Sequence, residues 1–250
     1  MKAIILAAGK GKRLEKVCGD NPKCLLDIGG LSLIERQIET LRAVGVDDIT
    51  AVVGYGAEHV RERCGSSISY IENEIHDQTN SMYSLWLARD VLTDGFVVLN
   101  ADVLFHSQLL MDLISVEYED ALLVSYEPLP VLGDEEMKVK VRKGCVVDLS
   151  KQMNPAEADG ENVGIVKFGA SGAGFLIEQM DALVAAGGLR EWAPRAFREF
   201  AMQRPLTAIS TRGYPWIEID FPEDYHRAVD EILPKLIQTD RVGDTIPALL

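Results

Sequence analysis

Apolar residues in this chain come in short runs that alternate between strand-like and helical spacing. Ala3-Ile4-Ile5-Leu6 is an uninterrupted apolar run that reads as a buried strand. Ser32-Leu33-Ile34-Glu35 has the form of a capping box. The apolar positions Leu33, Ile34, Ile38, Leu41 and Val44 then keep helical spacing until Gly45 stops them. Ile49 to Val53 predicts a second core strand, 57–63 a short helix, and Ile68 to Ile71 a third strand. Asn80 or Ser81 caps a helix with Met82, Leu85, Trp86 and Leu87 on its apolar side, Trp86 being read as a core residue. Phe96-Val97-Val98-Leu99 is continuously apolar, as a parallel strand covered on both faces should be, and it ends at Asn100-Ala101-Asp102.

After residue 120 the texture changes. Ala121 to Tyr126, Met137 to Arg142 and Val146 to Leu149 read as strands joined by short polar turns. Lys138-Val139-Lys140-Val141 alternates as an antiparallel strand with one wet face does. A strand at Val163 to Phe168, helices at 172–185 and 190–203, strands at 206–210 and 216–220 and a helix at 222–236 complete the pattern. It predicts an α/β fold: a Rossmann-like, mixed but mostly parallel central sheet flanked by helices, with a small antiparallel extension in the C-terminal half. One domain is expected over 1–236, with halves 1–119 and 120–236. The tail 237–250 is expected to be loose or to dock on a partner subunit, as in a homodimer.

Charge changes this picture in one place. The chain carries a net −14, which argues against nucleic acid or an anionic membrane as partner. Yet Lys10, Lys12, Arg13, Lys16 and Lys23 put five of its 25 basic residues between positions 10 and 23. No run of about 18 apolar residues predicts a membrane span, and the N-terminal run reads as a strand rather than a signal peptide. Cys18, Cys24, Cys64 and Cys145 lack metal-ligand spacing, which suggests reduced thiols and a cytoplasmic location. His59, His76, His106 and His226 form no pattern and are read as surface or helix-cap residues.

The basic cluster follows the first strand directly, in Ala7-Ala8-Gly9-Lys10-Gly11-Lys12-Arg13-Leu14, with Lys23 on a Pro-fixed turn. Small residues after a buried strand let backbone N–H groups approach a ligand, and several cations beside them suit adjacent negative charges. A nucleoside triphosphate fits; a solvated basic loop is the alternative. Asp102 follows another buried strand and should reach the same carboxyl edge of the sheet, where a carboxylate near phosphates holds Mg²⁺. The competing role is a helix cap. In Trp216-Ile217-Glu218-Ile219-Asp220 the carboxylates alternate with apolar residues. Asp220 is either a second metal ligand, the N-cap of the 222–236 helix, or both.

Leu6-Ala7-Ala8-Gly9-x-Gly11-x-Arg13-Leu14 followed by Pro22-Lys23 resembles the signature of the sugar-phosphate nucleotidyltransferase family. Asn80-Ser81-x-Tyr83-Ser84-Leu85, Asn100-Ala101-Asp102, Gly160-Glu161-x-x-Gly164-Ile165-x-Lys167-Phe168 and Trp216 to Asp220 resemble its cytidylyltransferase branch, over residues 1 to about 235. The resemblance implies a GT-A-like nucleotidyltransferase fold and an Mg²⁺-dependent transfer of CMP from CTP to a small phosphonate or phosphate, 2-aminoethylphosphonate or phosphocholine. It implies that Leu6, Ala7, Ala8 and Gly9 read the base, that Gly11, Lys12 and Arg13 hold phosphates, and that Lys23 binds the α-phosphate and the acceptor. Asn80, Ser81, Asn100 and Ala101 become nucleotide contacts, Asp102 and Asp220 metal ligands, and Glu161, Lys167 and Glu218 acceptor contacts. Asn100 departs from many members, which bears on the ribose.

The acceptor has two readings. The run Gly133-Asp134-Glu135-Glu136 suits a primary ammonium, with Asp134 as its representative. An aromatic box from Tyr83, Trp86, Tyr126, Trp192, Tyr214 or Trp216 suits a quaternary one. The acidic loop tilts the expectation towards a phosphonate. Two further alternatives are a sugar-1-phosphate nucleotidyltransferase using UTP, GTP or dTTP, and a nucleotide-binding regulatory subunit without turnover. A Rossmann dinucleotide enzyme ranks low because Gly9-x-Gly11 lacks the third glycine.

Overall fold

The computed structural model describes the backbone of residues 1–126 and 133–243, with side chains through 238. Among these residues nine strands build the main sheet. In chain order they are β1 Lys2–Ala7, β2 Asp48–Val53, β3 Ser69–Glu72, β4 Phe96–Asn100, β5 Ala121–Ser125, β6 Lys138–Arg142, β7 Cys145–Ser150, β8 Gly160–Phe168 and β9 Thr207–Ser210. Their spatial order is β3-β2-β1-β4-β8-β5-β9-β7-β6. The first four are mutually parallel, with Leu6 of β1 opposite both Val52 and Asn100. β8 then runs antiparallel to β5 along one edge and, along the other, to β6 at its start and to β4 at its end, so one sheet spans both halves of the chain.

The chain leaves β1 for β2 on one side and later returns to β4 on the other. The carboxyl end of β1 therefore sits where the strand order reverses, and this opens a crevice. Helices cover both faces. α1 (Leu33–Ala43), α2 (Ala57–Cys64) and α4 (Ser107–Ser115) accompany a core containing Ile5, Ile38, Val53, Leu99 and Leu113. On the opposite face α3 (Ser81–Leu87), α5 (Ala170–Ala185) and α6 (Ala193–Ala201) accompany a core containing Ile4, Leu85, Phe168, Met180 and Phe200. α1 begins with the expected capping box, Ser32 N–H donating to Glu35 Oε2 at 2.8 Å.

A small ladder pairs Val103–Phe105 with Trp216–Glu218, Glu218 opposite Val103. A third apolar cluster, with Leu14, Leu26, Leu104, Ile219 and Leu233, seats it against the last helices. The strand expected over 216–220 ends at Glu218, and the helix expected over 222–236 is not continuous. It is α7 (Pro222–Arg227), a π-helical turn over Ala228–Ile232, and α8 (Leu233–Gly243). α8 thus continues past 236; residues 244–250, the rest of the expected tail, lie outside the described residues. Asp220 does not cap α7. Phe221 takes that position, and Asp224 accepts from the N–H groups of Asp220 and Phe221. Lys138, expected on a wet face, is only 1% exposed. The four cysteines are free thiols. No helix among the described residues is long and apolar enough to cross a membrane.

Candidate active site

The loop after β1, the turn after β4 and the segment after the small ladder converge on one point. Gln37 of α1 fixes the second of these by donating from Nε2 to the carbonyls of Asn100 (2.9 Å) and Val103 (2.8 Å). The Ile219 N–H donates to the Asp102 carbonyl at 3.0 Å, which ties the Asp102 turn to the Glu218–Asp220 segment. Asp102, Glu218 and Asp220 each offer a carboxylate oxygen within 4.8 Å of the others.

Lys23 reaches into this group. Its Nζ lies 2.8 Å from Asp102 Oδ2 and 2.5 Å from Asp220 Oδ1, and the residue is 9% exposed. Burial alone would lower the ammonium's pKa; Asp102 and Asp220 overcome it and hold Lys23 above the ordinary lysine range. Burial would likewise raise Asp220, but Lys23 and Arg13 hold its carboxyl below the usual value. For Glu218 the balance is reversed. Burial first, then Asp102 and Asp220, outweigh Lys23 and Lys151 and push it up to about 8. Arg13 stands at the rim, its guanidinium 3.1 Å from Glu135 Oε2, 3.8 Å from Asp220 Oδ2 and 4.8 Å from the centre of the Phe221 ring.

A divalent cation fits these residues. Three clustered carboxylates suit a hard oxygen-seeking ion. In addition, Asp102 Oδ1 is buried and has no hydrogen-bond partner among the described residues, which is costly unless something completes it.

Gly11 makes the approach of Lys23 possible. Its φ is +69°, and a Cβ there would lie 2.7 Å from Lys23 Cβ. Gly11→Ala is expected to cost about 1–2 kcal/mol for the left-handed backbone alone, read from urea melts, and to weaken nucleotide binding by displacing Lys23. Unchanged binding by calorimetry would separate the glycine from the site.

Two cavities meet at the cluster. One, of about 250 Å³, is lined by Leu6, Ala8, Gly9, Asn80, Ser81 and Asn100 with the carboxylates and Arg13. Asn80 caps α3, accepting from the Ser81 N–H at 2.8 Å, and Ser81 Oγ accepts from the Ala193 N–H at 2.9 Å. The other, of about 780 Å³, is lined by Glu135, Glu136, Glu161, Tyr214, Trp216 and Phe221 among others. Glu135, Glu218 and Asp220 line both.

Several expected site residues lie elsewhere. Lys167 is 4% exposed and donates to the carbonyls of Val116 (3.0 Å) and Ile114 (3.5 Å) behind the sheet. Lys12 is exposed outside the crevice lining, and Asp134 is exposed while its neighbours Glu135 and Glu136 face the cavities. Tyr83 and Trp86 stack on each other 5.3 Å apart, outside either cavity lining. Trp86 is half-buried and packs against the core on the α3 face of the sheet, its indole N–H donating to Asp181. Of the other proposed aromatics, Tyr214 and Trp216 line the larger cavity and Trp192 the smaller. Lys151, which the sequence did not single out, lines the smaller cavity, with its Nζ 3.6 Å from Glu135 and 5.1 Å from the Trp192 ring centre. His76 lines it too, and His106 caps α4.

Glu161 is 6% exposed. Burial first, and then the charge of Glu136, push its carboxyl from 4.5 up to about 7, against Lys138 and Lys151. Because the folded value exceeds the unfolded one, ionising Glu161 weakens the fold. The loss sets in as pH rises past 4.5 and is complete above 7. The interval corresponds to roughly 3 kcal/mol as an upper bound. Glu161→Gln is therefore expected to raise the melting temperature relative to wild type at pH 8 but not at pH 4.5. Equal differences at both pH values would contradict this placement of the carboxyl.

Residues 3–148 match the family described as the MobA-like NTP transferase domain. Over 236 residues, 92% of the chain, it is 30% identical to a bifunctional IPC transferase and DIPP synthase of Rubrobacter xylanophilus, covering 52% of that protein. Over 185 residues, 67% of the chain, it is 26% identical to a CTP:phosphoglutamine cytidylyltransferase of Campylobacter jejuni, covering 73% of that protein. The chain spans about half the length of several curated relatives it matches. The solved CTP:phosphocholine cytidylyltransferase of Streptococcus pneumoniae superposes with a TM-score of 0.74 at 24% identity, over 93% of this chain and 98% of that one. The nucleotidyltransferase fold expected from the sequence is the one observed.

Proposed function

The chain belongs to the MobA-like NTP transferase family, and from that premise we propose that it transfers CMP from CTP to a small phosphate or phosphonate, releasing pyrophosphate. The observation that carries this reading is the position of Lys23. Its ammonium stands among Asp102, Glu218 and Asp220, where the smaller crevice meets the larger cavity. The cytidylyl-transferring relatives support the choice of nucleotide.

The acceptor oxygen is already anionic at neutral pH, so no general base is needed. It attacks the α-phosphorus in line; a bond forms to that oxygen, the bond from the α-phosphorus to the bridging oxygen breaks, and its electrons leave with pyrophosphate. The obstacle is repulsion between two anions. Lys23 sits where both reactants must meet and stays charged, and Arg13 at the rim faces the leaving phosphates. Asp102, Glu218 and Asp220 are the residues that would hold a divalent cation, whose chemistry there is neutralisation of phosphate oxygens. The loop at Leu6 to Gly9 and the end of β4 orient the nucleotide.

The larger cavity favours an acceptor with an ammonium group. Glu136 and Glu161 supply negative charge, while Tyr214 and Trp216 supply ring faces. Phosphorus NMR with Mg²⁺, CTP and one acceptor at a time (phosphocholine, 2-aminoethylphosphonate, glucose 1-phosphate) tests this. Diphosphate-region signals together with pyrophosphate are expected with an ammonium-bearing acceptor. Product only with UTP, GTP or dTTP and glucose 1-phosphate would replace this reading with sugar-nucleotide synthesis. Silence with every triphosphate would leave nucleotide binding without turnover.

A further inference from the structure

Lys138 is a lysine at the start of β6 with almost no contact with water, being 1% exposed. A charged side chain so deeply placed is costly unless its donors are all used. They are. An ammonium has three donors, and Lys138 Nζ spends them on three carbonyl oxygens: Gly133 at 2.6 Å, Glu136 at 3.2 Å and Lys151 at 2.6 Å.

Those acceptors belong to two separate segments. Gly133 and Glu136 lie in the acidic turn before β6, whose Glu135 and Glu136 line the larger cavity. Lys151 follows β7 and lines the smaller cavity. The turn is further closed by the Gly133 N–H donating to Glu136 Oε2 at 2.7 Å, and the two segments meet again where Lys151 Nζ approaches Glu135 at 3.6 Å. Lys138 also lies directly opposite Glu161 in the pairing of β6 with β8. One buried cation thus anchors, through their main chains, two of the segments that bring charge to the junction of the cavities.

We propose that Lys138 is a positioning residue of the active site, fixing the Glu135–Glu136 turn and the Lys151 turn in the arrangement that receives the acceptor. The kinetic part of this rests on the transfer reaction proposed above; the positioning itself does not. Removing the ammonium leaves three carbonyls without their donor, so the two turns should loosen while the rest of the sheet stays intact.

Hydrogen–deuterium exchange of wild type and Lys138→Met, together with steady-state kinetics, tests the inference. Exchange over 133–137 and 150–153 is expected to rise about tenfold or more, with β1 to β4 unchanged. The acceptor KM is expected to rise about tenfold or more while kcat stays within about threefold. Lys138→Arg, which keeps the charge and its donors, is expected to restore both readouts at least in part. Should Lys138→Met fail to fold, Lys138→Gln carries the same comparison. Unchanged exchange in both segments, or a rise of equal size across the whole sheet, would overturn the proposal. So would an unchanged acceptor KM in an active enzyme. If the wild type is silent with every triphosphate, the transfer reading fails, and the exchange data alone decide the role of Lys138.

Discussion

Lys23→Ala is expected to lower kcat by roughly 10²-fold or more, the size found when one preorganised electrostatic contact is removed from a transition state. The reasoning starts from the ion pairs. Lys23 holds Asp102 at 2.8 Å and Asp220 at 2.5 Å in a buried setting. An alanine there would leave three clustered carboxylates with their nearest cation gone. Two effects follow and are separable. Turnover falls because nothing offsets the meeting of two phosphate anions. The carboxylates also repel one another, so the variant should be less stable at pH 8 than at pH 5, where protonation relieves the crowding. Single-turnover rates and melts at the two pH values check each part. A near-normal rate would remove Lys23 from the chemistry.

Asp102→Asn should give a loss of similar size, roughly 10²-fold or more, but of a different kind. Asp102 Oδ1 is the buried, unpartnered oxygen of the cluster, and the amide substitution keeps its volume while removing its charge. The concentration of Mg²⁺ giving half-maximal rate should therefore rise, whereas Lys23→Ala should leave it nearly unchanged or lower it. Lys23 keeps its contact with Asp220 in the Asn variant, so stability should change little. A full metal titration of both variants checks the contrast. An Asp102→Asn enzyme with unaltered metal dependence would place the cation elsewhere.

Much of the frame of this site is legible in the sequence because it is local. The Gly9–Gly11 loop adjoins its strand, Asp102 ends another, and Glu218 and Asp220 share the parity of one extended segment, so neighbours along the chain place them. The remainder depends on contacts between distant segments. Glu161 and Lys167 fall in a single motif-like run, yet six residues of extended strand, roughly 20 Å, separate them. The register shift in β8 between Asn162 and Val166 also disturbs simple alternation. One end therefore enters the cavity and the other meets the carbonyls at the C-terminal end of α4. In the acidic turn, Asp134 is exposed while Glu135 and Glu136 line the larger cavity, a difference that depends on distant partners, Arg13 and Lys151 at Glu135 and the Lys138 ammonium at the turn's carbonyls. Lys151 offers no local signal at all. Its place follows from the pairing of β7 with β6 and from the ring of Trp192, about 40 residues further on. Lys138 departs from the expected wet face for the opposite reason: alternation marks a polar side of the strand but not the turns that close over it.

The nine residues of β8 are all buried, and the strand is bonded on both edges, to β5 along one and to β6 and β4 in succession along the other, so it joins strands of the two halves of the chain. Two halves of one chain invite comparison with two modules joined by a hinge. The shared strand forbids that. Neither half can lose its edge without exposing the other's, so the molecule should melt in a single cooperative step. Whatever motion admits and releases ligands must then belong to the turns at the rim, because the sheet that carries the reacting groups has no seam along which to open.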